Sequence, residues 1–254
     1  MTADLHVAPD PTEWKQREVA ARDKDAEDYF DYCRRSLGPY GDQGQVRLVL
    51  GAARLRPEHR VLDAGCGVGR FTIPAAKRTK YILAVDFSAK SIEVLDRELK
   101  RDNVTNVDSQ VGDLTTIELP QNSFDRAIAP GVIHHIPAAE LRVEAMRRIL
   151  GALKPGGRVA ILIYRWGGNI RPPMPKEGMH QSQIYYFAST VEEARKLLEQ
   201  AGYANVRVRG FLSLPRRVTL RLPGWMSCME PVFAWFPWSV LRAHSLLVTG
   251  TKPA

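Results

Sequence analysis

One segment of the chain has the pattern of a strand followed by a glycine turn. A short apolar run ends in Asp63, and glycine then stands at every second position, as Gly65, Gly67 and Gly69. Alternating glycines allow the backbone to turn sharply and a ligand to touch the main chain. A strand, a glycine turn and the start of a helix form a ligand site at the carboxyl end of an open sheet. The segment therefore predicts an α/β fold built on a parallel sheet.

The spacing of the glycines distinguishes two kinds of nucleotide site. A dinucleotide-binding G-x-G-x-x-G motif needs glycine at its last position, and this chain has Arg70 there. A bulky cation is incompatible with the close helix–strand packing of that motif. The pattern Asp-x-Gly-x-Gly-x-Gly instead resembles motif I of the class I S-adenosylmethionine-dependent methyltransferases. For this motif alone, an ordinary glycine-rich turn after a strand is the alternative.

Acids at the ends of later strand patterns extend the resemblance. The apolar run 81–86 ends in Asp86, which lies 19 residues past Gly67. This separation is near the ~20 residues expected for an acid that holds ribose hydroxyls, and a carboxylate can accept both hydrogen bonds of a ribose diol. Phe87 is placed to pack on one face of an adenine. In the family, an acid at the position of Asp113 meets the adenine amino group.

The resemblance covers roughly residues 58–165 closely and the rest of the chain loosely. It implies S-adenosylmethionine as the cofactor, and an acid beside the glycine turn suits the amino group of that ligand, directly or through water. The cofactor-binding residues that we predict are Asp63, Gly65, Cys66, Gly67, Asp86, Phe87, Asp113, Leu114 and Ala129.

The order of strand and helix patterns predicts a doubly wound, mostly parallel sheet of seven strands whose last strand is antiparallel. Residues 1–57 are expected to form an N-terminal helical cap, and residues 58–254 a Rossmann-like methyltransferase domain. Within that domain we expect a lid at 165–188, rich in Gly, Pro and Met, and an insertion at 211–243 between the last two strands.

The cap is predicted to contain one helix over 12–37 and a second over 43–55. In related enzymes a cap residue, often aromatic, closes over the methionine end of the cofactor. Tyr29, Tyr32 and Tyr40 are candidates for that position, and packing of the cap onto the core is the alternative for each of them.

Candidate catalytic residues follow the fourth and fifth strand patterns. His134 and His135 lie just past the fourth, and Tyr164 ends the fifth. An imidazole with its ordinary pKa near 6.5 can accept a proton at neutral pH. A base is optional, since the sulfonium already activates the methyl group. The alternative reading is that these side chains anchor their loops. No His, Cys and acid spacing suggests a metal site.

Composition indicates the cellular compartment of the protein and the charge of its partners. The chain has 254 residues, no apolar run near the ~18 residues of a membrane span, no apolar signal core at its N-terminus, and three widely spaced cysteines. These features predict a protein of the reducing cytoplasm. The formal net charge is +8, and from position 205 onward seven Lys and Arg residues stand against one acid. Such asymmetry suggests an anionic partner surface, with a solvated basic face as the alternative.

The insertion at 211–243 leaves the substrate class open. It contains Trp225, Trp235, Trp238 and Phe233 among several prolines. It could form a wall over an apolar acceptor, lie peripherally on anionic lipid headgroups, present a basic surface to tRNA, or cover a sheet edge. We predict a methyltransferase acting on oxygen or nitrogen of a small, apolar or lipid-like metabolite. A tRNA methyltransferase of the wobble-uridine type and a non-catalytic, cofactor-binding or membrane-surface adaptor are the alternatives.

Overall fold

The computed structural model of the chain describes residues 11–167, 175–180, 184–211, 216–229, 232, 236, 239 and 243–254. The helices of this part are α1 (Pro11–Asp25), α2 (Tyr29–Ala53), α3 (Thr72–Ala76), α4 (Ala89–Arg101), α5 (Ala139–Ala152), α6 (Val191–Gln200) and α7 (Arg216–Thr219). The strands are β1 (Arg60–Ala64), β2 (Tyr81–Asp86), β3 (Val107–Val111), β4 (Phe124–Pro130), β5 (Leu153–Tyr164), β6 (Glu177–Met179), β7 (Tyr185–Phe187), β8 (Ala204–Phe211) and β9 (Ser245–Thr251). Single 3-10 turns span Ile133–His135 and Gly224–Met229.

Seven strands form one sheet in the order β3-β2-β1-β4-β5-β9-β8. Strands β1 to β5 pair in parallel, whereas β9 runs antiparallel to both of its neighbours, β5 and β8. The predicted fold class is therefore confirmed. The strand order reverses at β1, so the carboxyl ends of β1 and β4 flank the crevice where ligands bind in open α/β sheets.

The central strands are apolar on both faces because helices cover both sides of the sheet. One core cluster joins the sheet to α5 and α6, and the other joins it to α2, α3 and α4. Strand β2, for example, is buried from Ile82 to Asp86. Asp63 is fully buried within β1, and it is the polar exception in an otherwise apolar strand end.

Two helix starts follow the capping chemistry of the sequence. The Ser88 hydroxyl accepts a hydrogen bond from the Ser91 backbone N–H at 2.9 Å and so caps α4. Thr190 and Glu193 form a reciprocal capping box at the start of α6. Both caps were predictable, because the signal lies within three residues of the helix end.

The N-terminal helices differ from the prediction. The first helix ends at Asp25, so a turn separates it from α2, and the expected break near position 38 is a kink inside α2 at Gly38. Gly38 has φ +67°, and a Cβ there would lie 3.0 Å from the Leu220 backbone. The kink thus lets α2 pack closely against the segment that follows β8.

The predicted lid contains a regular element where its residues are described. Strands β6 and β7 pair antiparallel, with Gly178 opposite Tyr186; residues 168–174 and 181–183 lie outside the described part. In the insertion, α7 and the 3-10 turn after it pack on α2. Trp225 of that turn is 69% exposed, while Phe233, Trp235 and Trp238 lie outside the described residues.

Candidate functional site

The glycine turn after β1 is built for close packing on one side and open on the other. All three glycines have positive φ: +80° at Gly65, +52° at Gly67 and +93° at Gly69. A Cβ at Gly65 would lie 2.6 Å from Val132, and one at Gly69 would lie 2.5 Å from Leu95, but a Cβ at Gly67 would meet nothing within 4 Å. Gly67 is thus the point where the main chain is open to a ligand.

Asp86, at the end of β2, fixes this turn in place. Its Oδ2 accepts a hydrogen bond from the Gly67 backbone N–H at 2.8 Å, and its Oδ1 accepts one from the Ser88 N–H at 3.0 Å. The residue is only 7% exposed. Burial raises the pKa of this carboxyl, and the two backbone N–H groups oppose that effect. Each oxygen keeps a lone pair for a hydroxyl of a ligand.

Asp63 is placed differently from Asp86. It is fully buried, and its Oδ2 accepts a hydrogen bond from the Thr72 hydroxyl at 2.7 Å. Its Oδ1 has no hydrogen-bond partner among the described residues. Burial raises its pKa to about 7. Since Asp63 does not line the cavity described below, its predicted contact with a ligand amino group stays a prediction.

A cavity lies beside the glycine turn, and it brings most of the predicted residues together. It is also lined by the loop after β4 and by helix α1. Of the predicted site residues, Gly65, Cys66, Gly67, Asp86, Phe87, Asp113, Leu114 and His135 line it, whereas Asp63, Ala129, His134 and Tyr164 do not.

Asp113 binds the cap rather than leaving its oxygens open. Its Oδ2 forms an ion pair with the Lys15 ammonium of α1 at 2.7 Å. Its Oδ1 accepts hydrogen bonds from the Thr115 backbone N–H and hydroxyl, both at 2.8 Å. Asp113 therefore attaches α1 to the rim of the cavity, and its contact with an adenine stays a prediction.

Helix α1 contributes residues that we did not predict from the sequence. Trp14, Lys15, Glu18 and Arg22 all line the cavity. The helix has almost no apolar stripe, since from position 13 to 26 only Trp14, Glu18 and Ala26 are buried, so hydrophobic periodicity could not orient it.

The three tyrosines proposed to close over the cofactor lie in three different environments. Tyr29 lines the cavity, Tyr32 is 58% exposed, and Tyr40 is buried in the core cluster beside α3 and α4. Only Tyr29 is therefore positioned to contact a ligand in this cavity.

The candidate catalytic residues form an aromatic cluster next to the cavity. The ring of His134 lies 4.2 Å from that of His135 and 4.0 Å from that of Tyr164, between ring centroids. His180 packs 4.5 Å from Tyr186 and 5.8 Å from Tyr164. Burial lowers the pKa of His134 and of His135 well below 6.5 and raises that of Tyr164 to about 12. All three side chains are thus uncharged near neutral pH.

The structure also indicates the tautomer of His135. Its Nδ1 lies 2.6 Å from the Tyr185 carbonyl oxygen, which can only accept, so Nδ1 carries the proton. Nε2 then has the lone pair. Within the described part of the chain, no group of His, Cys, Asp and Glu residues could hold a metal ion, and no helix is long and apolar enough to cross a membrane.

Comparison with known proteins gives a consistent result. Residues 61–157 match a family model described as a methyltransferase domain. The chain is 24% identical over 198 residues to phosphoethanolamine N-methyltransferase 2 of Caenorhabditis elegans. The aligned region covers 78% of this chain and 44% of that protein. The chain spans about half the length of the curated relatives it matches.

Two solved structures show the same fold. A methyltransferase from Thermotoga maritima, described as a possible histamine N-methyltransferase, has a TM-score of 0.65 at 19% identity and covers 92% of this chain and 99% of its own. A Burkholderia thailandensis 1,6-didemethyltoxoflavin-N1-methyltransferase, with 1,6-didemethyltoxoflavin and S-adenosylhomocysteine bound, has a TM-score of 0.64 at 20% identity and covers 100% of this chain and 94% of its own.

The cavity residues fit S-adenosylmethionine, the cofactor of this class. The open edge of Gly67 leaves main chain for close contact, and the remaining lone pairs of Asp86 suit a ribose diol. Phe87 and Leu114 supply apolar surface for a base. A buried oxygen of Glu18 has no hydrogen-bond partner among the residues described, as expected where a polar ligand completes the site.

We predict that Asp86→Ala weakens binding of S-adenosylhomocysteine by about 1.5–3 kcal/mol, because charge-assisted hydrogen bonds to the ribose are lost and Gly67 is released. Titration calorimetry on the folded variant measures this. Asp108→Ala is the control, since Asp108 is an exposed carboxylate hydrogen-bonded to Tyr81. Unchanged affinity in Asp86→Ala would contradict the ribose assignment.

Asp63 predicts a pH dependence of stability. Its carboxyl loses a proton near pH 4 in the unfolded chain and near pH 7 in the folded one, because burial raises its pKa. The folded state holds the extra proton between these values, so the free energy of unfolding falls as pH rises through that window. Asp63→Asn cannot titrate. Its free energy of unfolding, relative to wild type, should increase by about 1–2 kcal/mol from pH 5.5 to 8.

Urea unfolding at the two pH values measures this change. Thr72→Val is the matched variant, because it removes the hydrogen bond that holds the pKa of Asp63 down. It should extend the fall in stability to higher pH. If the difference between wild type and Asp63→Asn is the same at both pH values, the raised pKa is wrong.

Proposed function

We propose that the chain, whose residues 61–157 match a methyltransferase domain, is a class I enzyme that transfers a methyl group from S-adenosylmethionine to oxygen or nitrogen of a small, apolar or lipid-like metabolite. One observation carries this proposal. His135, the candidate base, lines the same cavity as the glycine turn and Asp86. Cofactor-binding groups and a group able to accept a proton thus share one enclosed space.

The bound cofactor supplies a methyl group that is already activated by a sulfonium. What remains for the protein is to position the acceptor, exclude water and, where the acceptor needs it, remove a proton. The enclosure by α1 and by the loop after β4 serves the first two purposes, since both elements line the cavity.

His135 is suited to remove the proton. Its Nδ1–H is donated to the Tyr185 carbonyl, which holds the ring in one orientation and leaves Nε2 as the acceptor. Tyr164 stays protonated near neutral pH because burial raises its pKa to about 12, so it acts as a hydrogen-bond donor. His134, whose ring contacts both of the others at tilted angles, acts as a positioning residue.

The acceptor side favours an uncharged molecule. Burial lowers the pKa of His134, His135 and His180, so these rings add no positive charge near neutral pH. Arg22 is the cation whose charge acts on all three histidines. The carboxylate of Glu18, 2.9 Å away, offsets that charge. A site of neutral imidazole and phenol rings binds apolar or aromatic acceptors better than free phosphates.

The segment 216–229 supports a lipid-like acceptor and peripheral contact with anionic headgroups. Leu220, Trp225 and Met229 are exposed there, next to the exposed Arg217 and Arg221. Aromatic and aliphatic side chains with flanking arginines are typical of surfaces that lie at the boundary of an anionic membrane.

The proposal is tested by transfer of labelled methyl groups from S-adenosylmethionine into fractionated cell extract, with an Asp86→Ala protein as the blank. Label in lipids or small metabolites supports it. Label in RNA, with binding that weakens steeply with salt, would favour the tRNA alternative. No transfer into any fraction by a protein that binds the cofactor would indicate the non-catalytic adaptor.

His135→Ala should lower the transfer rate by about 100-fold, the typical contribution of a general base, without changing affinity for S-adenosylhomocysteine. Burial lowers the pKa of His135 well below 6.5, so the neutral form is the main one at pH 7 and above. The wild-type rate should therefore be flat there and fall only on acidification, and the variant should lack that acidic fall. Single-turnover rates between pH 5 and 9 measure both effects.

His59→Ala is the control, because His59 precedes β1 and accepts a hydrogen bond from the Arg56 backbone N–H away from the cavity. A wild-type rate and pH profile in His135→Ala would remove the proposed role of the base.

A further inference from the structure

Glu18 is a buried carboxylate with an unused oxygen in the wall of the cavity. It lies in α1, is 1% exposed, and lines the cavity. Its Oε1 accepts hydrogen bonds from Arg22 Nε at 3.1 Å and Nη2 at 2.9 Å. Its Oε2 is buried and has no hydrogen-bond partner within the described ranges. A buried charged oxygen left unpaired costs several times an ordinary hydrogen bond, so the site lacks a donor.

The other acids that line the cavity are already engaged. Both oxygens of Asp86 accept backbone hydrogen bonds, and both oxygens of Asp113 are bound by Lys15 and Thr115. Asp63, the acid expected from the sequence to meet a ligand amino group, does not line the cavity. Among the described lining residues, Glu18 is therefore the carboxylate with a wholly unbonded buried oxygen.

The same comparison singles out Arg22 among the cations. Lys15 is paired with Asp113. The Arg70 guanidinium donates hydrogen bonds to the Asp42 side chain, the Asp42 carbonyl and the Gln45 side chain. Arg22 donates Nε and Nη2 to Glu18, and its Nη1 makes no hydrogen bond in the described part, so it can still donate to an anion.

The pair lines the same cavity as both halves of the site, Asp86 of the glycine turn and His135 of the acceptor cluster. Asp86 acts electrostatically on both Glu18 and Arg22. Arg22 adds to the lowering of the pKa of His134, after burial, and of His135, after burial and His134. One neighbour is thus the acid that holds the glycine turn, and the other is the acceptor cluster. The reactive end of the cofactor must lie at such a border to deliver its methyl group.

We infer that Glu18 and Arg22 bind the amino-acid end of S-adenosylmethionine, with Glu18 Oε2 accepting from the α-ammonium and Arg22 donating to the α-carboxylate. The inference rests on the proposed function, because that function requires S-adenosylmethionine as the ligand. The arrangement matches a zwitterion in sign and order, and it makes helix α1 part of the cofactor site rather than only its cover.

An ordinary helical ion pair is the competing explanation. Glu and Arg four residues apart often pair on exposed helix faces, and such a pair would affect stability but not the choice of ligand. A readout that depends on the amino-acid end of the ligand therefore separates the two explanations. Methylthioadenosine supplies it, because this compound has the nucleoside and the thioether but lacks the amino acid.

Titration calorimetry of Glu18→Gln and Arg22→Met with both ligands tests the inference. Each variant should bind S-adenosylhomocysteine about tenfold or more weakly, as expected for a lost hydrogen bond to a charged group, while its affinity for methylthioadenosine should stay within about twofold of wild type. Glu13→Gln is the matched control, since Glu13 is an exposed carboxylate of the same helix that pairs with Arg17 four residues on and does not line the cavity, and both affinities should be unchanged.

A measurement on the unmodified protein guards against a variant that fails to fold. Wild type should bind S-adenosylhomocysteine at least about tenfold more tightly than methylthioadenosine. If wild type binds the two ligands equally tightly, or if the variants lose equal affinity for both ligands, the inference about Glu18 and Arg22 is wrong. The proposed function would still stand. If wild type binds neither compound, the proposed function fails and the inference fails with it.

Discussion

The site depends on one contact, in which the carboxylate at the end of β2 holds the backbone of the turn after β1. Asp86 accepts from the Gly67 N–H and the Ser88 N–H, so it fixes the glycine turn and the start of α4 at once. Because the two strands are adjacent and parallel, their carboxyl ends meet at this point, and the buried charge is compensated by main-chain donors. The open edge of Gly67 faces the cavity as a result.

Helix α1 of the cap is attached to the domain by a different kind of interaction. Helix α1 reaches the domain through the Lys15–Asp113 ion pair and through a 2.6 Å hydrogen bond from the Ser88 hydroxyl to Asp23. Just beyond the helix, Glu27 pairs with Arg97. The sheet and α2 are held by apolar burial, whereas α1 is held by polar contacts at the rim of the cavity, together with the buried Trp14 and Ala26.

This difference decides what the sequence could predict. The strands, the glycine turn and the Ser88 and Thr190 caps have signals within a few residues, and the structure contains all of them. The orientation of α1 is set by partners up to 98 residues away, as for Lys15 and Asp113, so Glu18 and Arg22 were missed although their four-residue spacing was visible. The pairing of β6 with β7 was missed because three-residue strands carry almost no periodicity.

Helix α1, which is fastened mainly by charged and polar contacts, can detach without the rest of the domain unfolding. Ionic strength weakens exposed charge pairs within a Debye length of ~8–10 Å, yet it leaves the apolar packing of the sheet intact. The exchange of spent for fresh cofactor is therefore expected to quicken with added salt, at concentrations where the thermal midpoint hardly moves. The rate at which α1 opens, and not the rate of methyl transfer, would then limit turnover.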